Sequence, residues 1–270
     1  MQCYKNGQLI DSIPLLDRAF HYGDGCFTTA RLVHGGMELK ELHIARLNYA
    51  CKNLSLDADL FFIDQALDQL LQHEKNLNGT LKVVISRGEG DRGYSLPLHP
   101  ADVYVWFYPK QWQHLEPEWI ESGLLNHAIG LHMPHLVGLK TLNRLEQVVL
   151  KQEADQRGWL EALVTDVQGY IVEGVSSNCF IRINDQWITP ELRYNGVHGV
   201  MRAHILSRMQ QNDISCEQRC IEMDQIAHIQ NIFFCNALHP MKAVVRFQGR
   251  TMQQQPYLDL FDSLKLSQID

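Results

Sequence analysis

Apolar positions along the chain follow two rhythms. Residues 41–54 place Ile44, Leu47, Cys51 and Leu54 at helical spacing, with Arg46 on a neighbouring face. Residues 60–71 do the same with Ile63, Ala66, Leu67, Leu70 and Leu71. Residues 142–157 follow with Leu145, Val148, Val149 and Gln152, and Gly158 supplies the stop. A helix over 199–211 begins at a glycine, a short one spans 223–228, and 256–264 closes the chain with Pro256 in the first turn. The second rhythm is extended. Residues 1–10 suggest a short strand ending near Gly7. Residues 26–33, 37–39, 80–86, 102–108, 161–166, 170–173, 178–183, 186–189, 214–220, 232–236 and 243–247 also read as strands. His34-Gly35-Gly36, Asn78-Gly79, Gln168-Gly169 and Asn184-Asp185 are the turns between some of them.

Helices and strands mix without a regular βαβ beat, which predicts mixed sheets in an α+β fold rather than a doubly wound one. The 270 residues suffice for two domains. The polar stretch QWQHLEPE, with Pro117, reads as a linker over 111–118 between a small α+β domain (1–110) and a larger one (119–270). A net charge of −7 gives no general reason to expect nucleic acid or an anionic membrane as partner. An anionic substrate must then be held by a few placed arginines. The start lacks the basic and apolar segments of a signal peptide, and no apolar run approaches the roughly 18–20 residues of a membrane span. The seven cysteines show no paired spacing, which suggests reduced thiols in a cytoplasmic protein and no metal site. His132 and His135 flank Met133-Pro134 without a nearby carboxylate or thiol, as loop histidines do.

Two stretches carry candidate chemistry. In HLVGLKTLNR (135–144), Lys140 stands among Leu136, Val137 and Leu139. Apolar surroundings strip solvation from an ammonium, lower its pKa and make the amine nucleophilic. An exposed lysine ahead of a helix has the same pattern. In YIVEGVSSNCF (170–180), Glu173 ends a β-branched run before Gly174 and two serines. Gly174 and Ser176 would let the backbone lie against a flat ligand, although an edge-strand charge would also read this way. A pyridoxal enzyme needs such a lysine, a carboxylate on the ring nitrogen to keep the ring an electron sink, and an anion site for the phosphate. The helix start at Val200 and Met201, with Arg46 and Asn236, offers phosphate donors.

These segments resemble the fold-type IV pyridoxal 5'-phosphate enzymes, the group of branched-chain aminotransferases, D-amino-acid aminotransferases and aminodeoxychorismate lyases. The resemblance rests on DRAFHYGDGCF (17–27), HIARL (43–47), LKTLNRLEQ (139–147), EGVSSNCF (173–180) and GVHGVMR (196–202), in that order along the chain. It implies a two-domain D-amino-acid aminotransferase-like fold, with a small α/β sandwich domain and a larger, mixed, β-barrel-like domain with helices. It also implies Lys140 as the Schiff-base lysine, Glu173 on the ring nitrogen, and a phosphate held by Arg46, the Val200 and Met201 amides and the Asn236 region. A homodimer is implied as well. Within the group, YGDGCFTTAR, KVVISRGEGDRGYS, PHLVGLKTLNRLEQV and CNALHP are most similar to the lyase branch.

That branch implies a folate-pathway lyase that converts 4-amino-4-deoxychorismate to 4-aminobenzoate and pyruvate. The substrate amine would displace Lys140 in an external aldimine. The freed Lys140 would take the proton from the amine-bearing carbon, and enolpyruvate would leave, with a nearby hydroxyl such as that of Thr29 helping to return a proton. The two substrate carboxylates call for arginine: Arg92 first, then Arg87 and Arg144, with Tyr94 beside them. D-amino-acid aminotransferases carry Arg-x-His in the matching loop and a tyrosine near the GDG turn. Here the loop reads Arg92-Gly93-Tyr94 and the tyrosine position is Phe27, so an aminotransferase of the same fold is the alternative.

Overall fold

A computed structural model describes residues 1–74 and 76–269. The described residues divide into two compact units, Met1–Gln113 with Leu139–Asn143, and His114–Gly138 with Arg144–Ile269. The second unit begins within the linker expected over 111–118. Among the described residues no helix is long and apolar enough to cross a membrane.

The first unit contains β1 (Gln2–Lys5), β2 (Gln8–Ile10), α1 (Arg18–Tyr22), β3 (Gly25–Val33), β4 (Gly36–Met37), α2 (Lys40–Leu54), α3 (Phe61–His73), β5 (Gly79–Ser86) and β6 (Asp102–Pro109). The strands form an antiparallel sheet in the order β2-β1-β6-β5-β3-β4. Side chains alternate across it. Cys26, Thr28, Ala30, Leu81, Val83, Ile85, Val103, Val105 and Phe107 are buried on one face, and α2 packs on β3. Leu47, Ile63 and Leu70 of the helices are buried too, and each such side chain contributes about 1.5–3 kcal/mol. The alternate positions Phe27, Thr29, Lys82 and Trp106 share the other face and are half-buried.

Leu139–Asn143 belongs with this sheet, although the sequence reading assigns it to the larger domain and begins a helix at Leu142. The Lys140 carbonyl accepts from Phe27 N at 2.9 Å, and Leu142 N donates to Gly25 O at 3.1 Å. Asn143 Nδ2 donates to Gly23 O at 3.1 Å. A backbone engaged in this way cannot coil, so the helix starts only at Leu145. Gly23, at φ 62, ends α1, and a Cβ there would collide with the Asn143 side chain.

The second unit holds β7 (Glu118–Ser122), a 3-10 turn (Pro134–Leu136), α4 (Leu145–Gln156), β8 (Leu163–Thr165), β9 (Ile171–Gly174), β10 (Asn178–Ile183), β11 (Gln186–Pro190), α5 (Val200–Gln211), β12 (Cys216–Arg219), a 3-10 turn (Met223–His228), β13 (Asn231–Asn236), β14 (His239–Phe247), β15 (Arg250–Thr251) and α6 (Gln255–Ser263). The main sheet runs β12-β11-β10-β13-β14-β15, and β7 joins β14. Parallel pairs β11–β12 and β7–β14 make it mixed, and β8–β9 form a separate ribbon. The core stacks Phe180 on Phe233, with centroids 4.9 Å apart, and Tyr257 of α6 donates from its hydroxyl to Val244 O at 2.7 Å. Glu118, expected in the linker, opens β7. The β7 pairing with β14 lies too far along the chain for local composition to reveal.

On α4 the buried positions are Leu150, Glu153 and Ala154, while Leu145 and Val148 are 75% and 62% exposed. The expected apolar face therefore points outward. Glu153 is drawn in by donors: Asn126 N at 2.8 Å, His127 N at 3.0 Å, His127 Nδ1 at 2.6 Å and Arg157 Nη2 at 2.6 Å. Burial pushes the Glu153 carboxyl up, but these donors outweigh it and hold it down to about 2. A depressed folded-state pKa stabilises the fold above the ordinary value of 4.5, and this contribution is lost as pH falls toward 2. The urea midpoint of the native chain should therefore exceed that of Glu153→Gln at pH 6, with the gap closing between pH 4.5 and about 2. A gap independent of pH would contradict this.

Candidate active site

In the first unit, the half-buried face of β3 and β5 gathers amines around one ring. Lys140 Nζ lies 4.7 Å from the Phe27 ring centroid, and Lys82 Nζ lies 5.3 Å from the same centroid. Thr29 pairs with Lys82 in register and projects on the same side as Phe27. The strip that carries Lys140 is bonded to Phe27 and Gly25, so the lysine backbone is fixed to the strand that bears the ring. Leu139, next to it, is buried.

The opposite face of β3 carries Thr28, which meets His43 and Arg46 of α2. Thr28 Oγ1 lies 2.5 Å from His43 Nδ1 and accepts from Arg46 Nη2. Among the described residues, the buried Arg46 Nε has no hydrogen-bond partner. Burial pushes the Arg46 guanidinium down to about 10, opposed by the nearby Cys26 thiol. Burial and the Arg46 charge together hold the His43 imidazole down to about 3.

In the second unit, Glu173 ends β9 and is 7% exposed. Its Oε2 accepts from Val197 N at 3.0 Å and Asn178 Nδ2 at 3.2 Å. Val197 leads to Gly199, the N-cap of α5, where no side chain caps the helix. The Val200 and Met201 amides thus sit in an uncapped first turn, where backbone donors and the helix dipole favour an anion. A Cβ on Gly199 would collide with the Asn178 carboxamide oxygen, so the approach to that turn needs glycine. Beneath Gly174 lies the buried Glu161. It accepts from Ser176 N at 3.1 Å and Ser177 Oγ at 2.6 Å, and faces Lys242 Nζ at 3.6 Å. This hub holds the turn that follows Glu173.

The amino-transferase class IV family matches residues 25–247. The chain belongs to that family. It is an enzyme class that works with pyridoxal 5'-phosphate, and the residues present suit that group on three counts. In the first unit the buried Arg46 Nε has no hydrogen-bond partner among the described residues; in the second, no described side chain caps the first turn of α5, and the Glu173 carboxylate accepts from Val197 N and Asn178 Nδ2. An aminodeoxychorismate lyase of Vibrio harveyi is 29% identical over 238 residues, 86% of each chain. A D-alanine aminotransferase of Bacillus licheniformis is 24% identical over 93% of this chain and 90% of its own. The crystal structure of 4-amino-4-deoxychorismate lyase from Pseudomonas aeruginosa superposes with a TM-score of 0.86 at 29% identity, covering 97% of this chain and 98% of that one. The class IV fold is therefore the one the motifs implied, with two α+β units; the expected mixing of strand directions is found in the second unit's main sheet, while the first unit's sheet is antiparallel.

The expected substrate-binding residues separate in this class IV chain. Arg87 is structural: its Nε donates to Asp24 at 2.9 and 3.0 Å, and its Nη1 and Nη2 donate to the Ser55 and Leu54 carbonyls at 2.9 and 2.7 Å. Those bonds leave Arg87 anchored within the fold rather than presented to a ligand. Arg92 and Tyr94 are exposed on a loop pinned by Arg18 Nη1 to Gly93 O at 2.9 Å and by Gly93 N to Tyr22 Oη at 2.9 Å. Arg144 is half-buried; burial lowers its pKa, while the charges of Glu173 and Glu146 oppose that shift. Asn236 is engaged in its own turn. Its Oδ1 accepts from Leu238 N and His239 N, each at 3.0 Å, and its Nδ2 donates to Ser177 Oγ at 3.0 Å. It shapes the β13–β14 turn, and the phosphate-donor reading does not follow from its bonds.

Lys82, His43 and Glu161 were not singled out from the sequence. Lys82 shows only as an outward residue of a strand, though it opens the KVVISRG segment. His43 stands in HIARL, where its spacing from Arg46 is one helical turn. Nothing local marks Glu161, whose serine partners lie 15 and 16 residues on.

Proposed function

We propose that this chain converts 4-amino-4-deoxychorismate to 4-aminobenzoate and pyruvate, a step of folate synthesis. The observation that carries the reading is the Phe27 face, where the Lys140 amine and a second cation, Lys82, lie over one ring. Similarity to lyases at 29% identity in both sequence and structure supports it.

The cofactor supplies an electron sink that lowers the cost of removing a proton from the amine-bearing carbon. Arg46 and the Val200 and Met201 amides would hold its phosphate, and the Glu173 carboxylate would keep its ring nitrogen protonated. Lys140 Nζ takes the substrate proton as general base. Loss of that proton lets the neighbouring C–O bond break, so enolpyruvate leaves and the six-membered ring becomes aromatic. Thr29, on the same side of β3 as Phe27, would help return a proton to the leaving group. Lys82 and Arg92 meet the two carboxylates of the substrate.

The D-alanine aminotransferase relative keeps a second reading in play, because a transaminase would use the same Lys140 and Glu173. The deciding assay gives purified enzyme 4-amino-4-deoxychorismate alone and follows 4-aminobenzoate by absorbance and pyruvate by a coupled dehydrogenase. The lyase reading expects both products in equal amounts without a keto-acid acceptor, and Thr29→Val slowed in the same assay. Product formation only when D-alanine and 2-oxoglutarate are supplied would favour the transaminase.

We also propose a cytoplasmic homodimer. Free thiols at all seven cysteines suit a reducing compartment, and the exposed Leu145, Val148 and Val149 of α4 are a face that a second copy would cover. Light scattering tests the dimer, which a monomer mass would exclude.

A further inference from the structure

We infer that His43, acting through Thr28, is the positioning residue that aims Arg46 at the cofactor phosphate. The inference rests on the cofactor reading above and adds a residue to it.

His43 and Arg46 stand three apart on α2, so both reach the same stretch of β3. There, Thr28 and His43 are almost wholly excluded from solvent. Arg46 Nη2 donates to Thr28 Oγ1. A guanidinium has no acceptor, so the Thr28 hydroxyl must give its own proton elsewhere. Among the described residues its other partner is His43 Nδ1, at 2.5 Å. His43 Nδ1 therefore accepts, and the ring proton sits on Nε2. The donors then run in one direction, from Arg46 to Thr28 to His43.

This order needs a neutral imidazole. A proton on His43 Nδ1 would turn an acceptor into a donor and set a second positive charge beside Arg46. Burial and the Arg46 charge hold His43 neutral down to about pH 3. One end of the guanidinium is thereby tethered, while the buried Nε donor has no partner among the described residues. A long side chain fixed before binding has less rotamer freedom to lose when a dianion arrives.

The test titrates the cofactor-free chain with pyridoxal 5'-phosphate and, separately, with pyridoxal, which lacks the phosphate. Thr28→Val and His43→Leu should each weaken pyridoxal phosphate binding about tenfold and leave pyridoxal binding unchanged. The double variant should be no weaker than the worse single one, because both cut one chain. His43→Asn, which sets an amide oxygen near the Nδ1 position, should restore most of the loss. If His43→Leu does not fold, Thr28→Val against Thr28→Ser reads the same contrast. Equal losses for both ligands, or no loss for either, would overturn the positioning role while leaving the cofactor reading standing. Native chain that binds neither ligand would refute the cofactor reading itself.

Discussion

Replacing Lys140 by alanine should cut the rate of 4-aminobenzoate formation by about 10⁴-fold and abolish the visible absorbance of the bound cofactor. The size follows from the two duties assigned to one amine, holding the cofactor and moving the substrate proton. The change should spare the fold. The strip is held by its backbone, through the Lys140 carbonyl to Phe27 N and Leu142 N to Gly25 O, and alanine keeps those bonds. The thermal midpoint should therefore move by only a few degrees while turnover collapses. Lys82 stands over the same ring, so a variant that retained activity within tenfold of native would show the wrong lysine had been assigned.

The second large effect concerns Glu173. Glu173→Gln keeps the shape and still offers an oxygen to Val197 N and Asn178 Nδ2, so the β9–α5 connection should survive. On the proposed function it removes the negative charge that would keep a ring nitrogen protonated, and with it much of the electron sink. Turnover should fall about 10²-fold or more, with substrate KM little changed, because the loss lies in the chemical step. Cofactor absorbance should shift in position but persist. A glutamine variant with native turnover would assign Glu173 to the fold alone, as an acceptor for Val197.

Much of this arrangement could be read from the chain. The strand expected over residues 26–33 is β3, which places Phe27 and Thr29 on one side of the sheet and Thr28 on the other. Helical spacing found α2 to within one residue. Errors arose where distant backbone decides. Leu142 opens a stretch at helical spacing, yet Gly25 and Gly23, more than a hundred residues earlier, take the hydrogen bonds of Leu142 N and the Asn143 side chain. Val148 and Val149 fit an apolar stripe, but the donors at Asn126 and His127 turn Glu153 inward instead. Arg87, ranked after Arg92 as a carboxylate holder, stands in the same loop of glycines and charges. Only the fold shows its donors taken by Asp24, Leu54 and Ser55. Lys82 went unread because a polar residue in an alternating strand looks like any solvated one until the ring across the strand is seen.

On the proposed function, Lys140 is the amine that would carry the cofactor. Reducing the holoenzyme with borohydride fixes any such link as a stable secondary amine, and digestion followed by mass spectrometry locates it. The pyridoxyl mass should fall on the peptide containing Lys140 and on no other. Its appearance at Lys82, or its absence from every lysine of enzyme that remains active, would contradict the account.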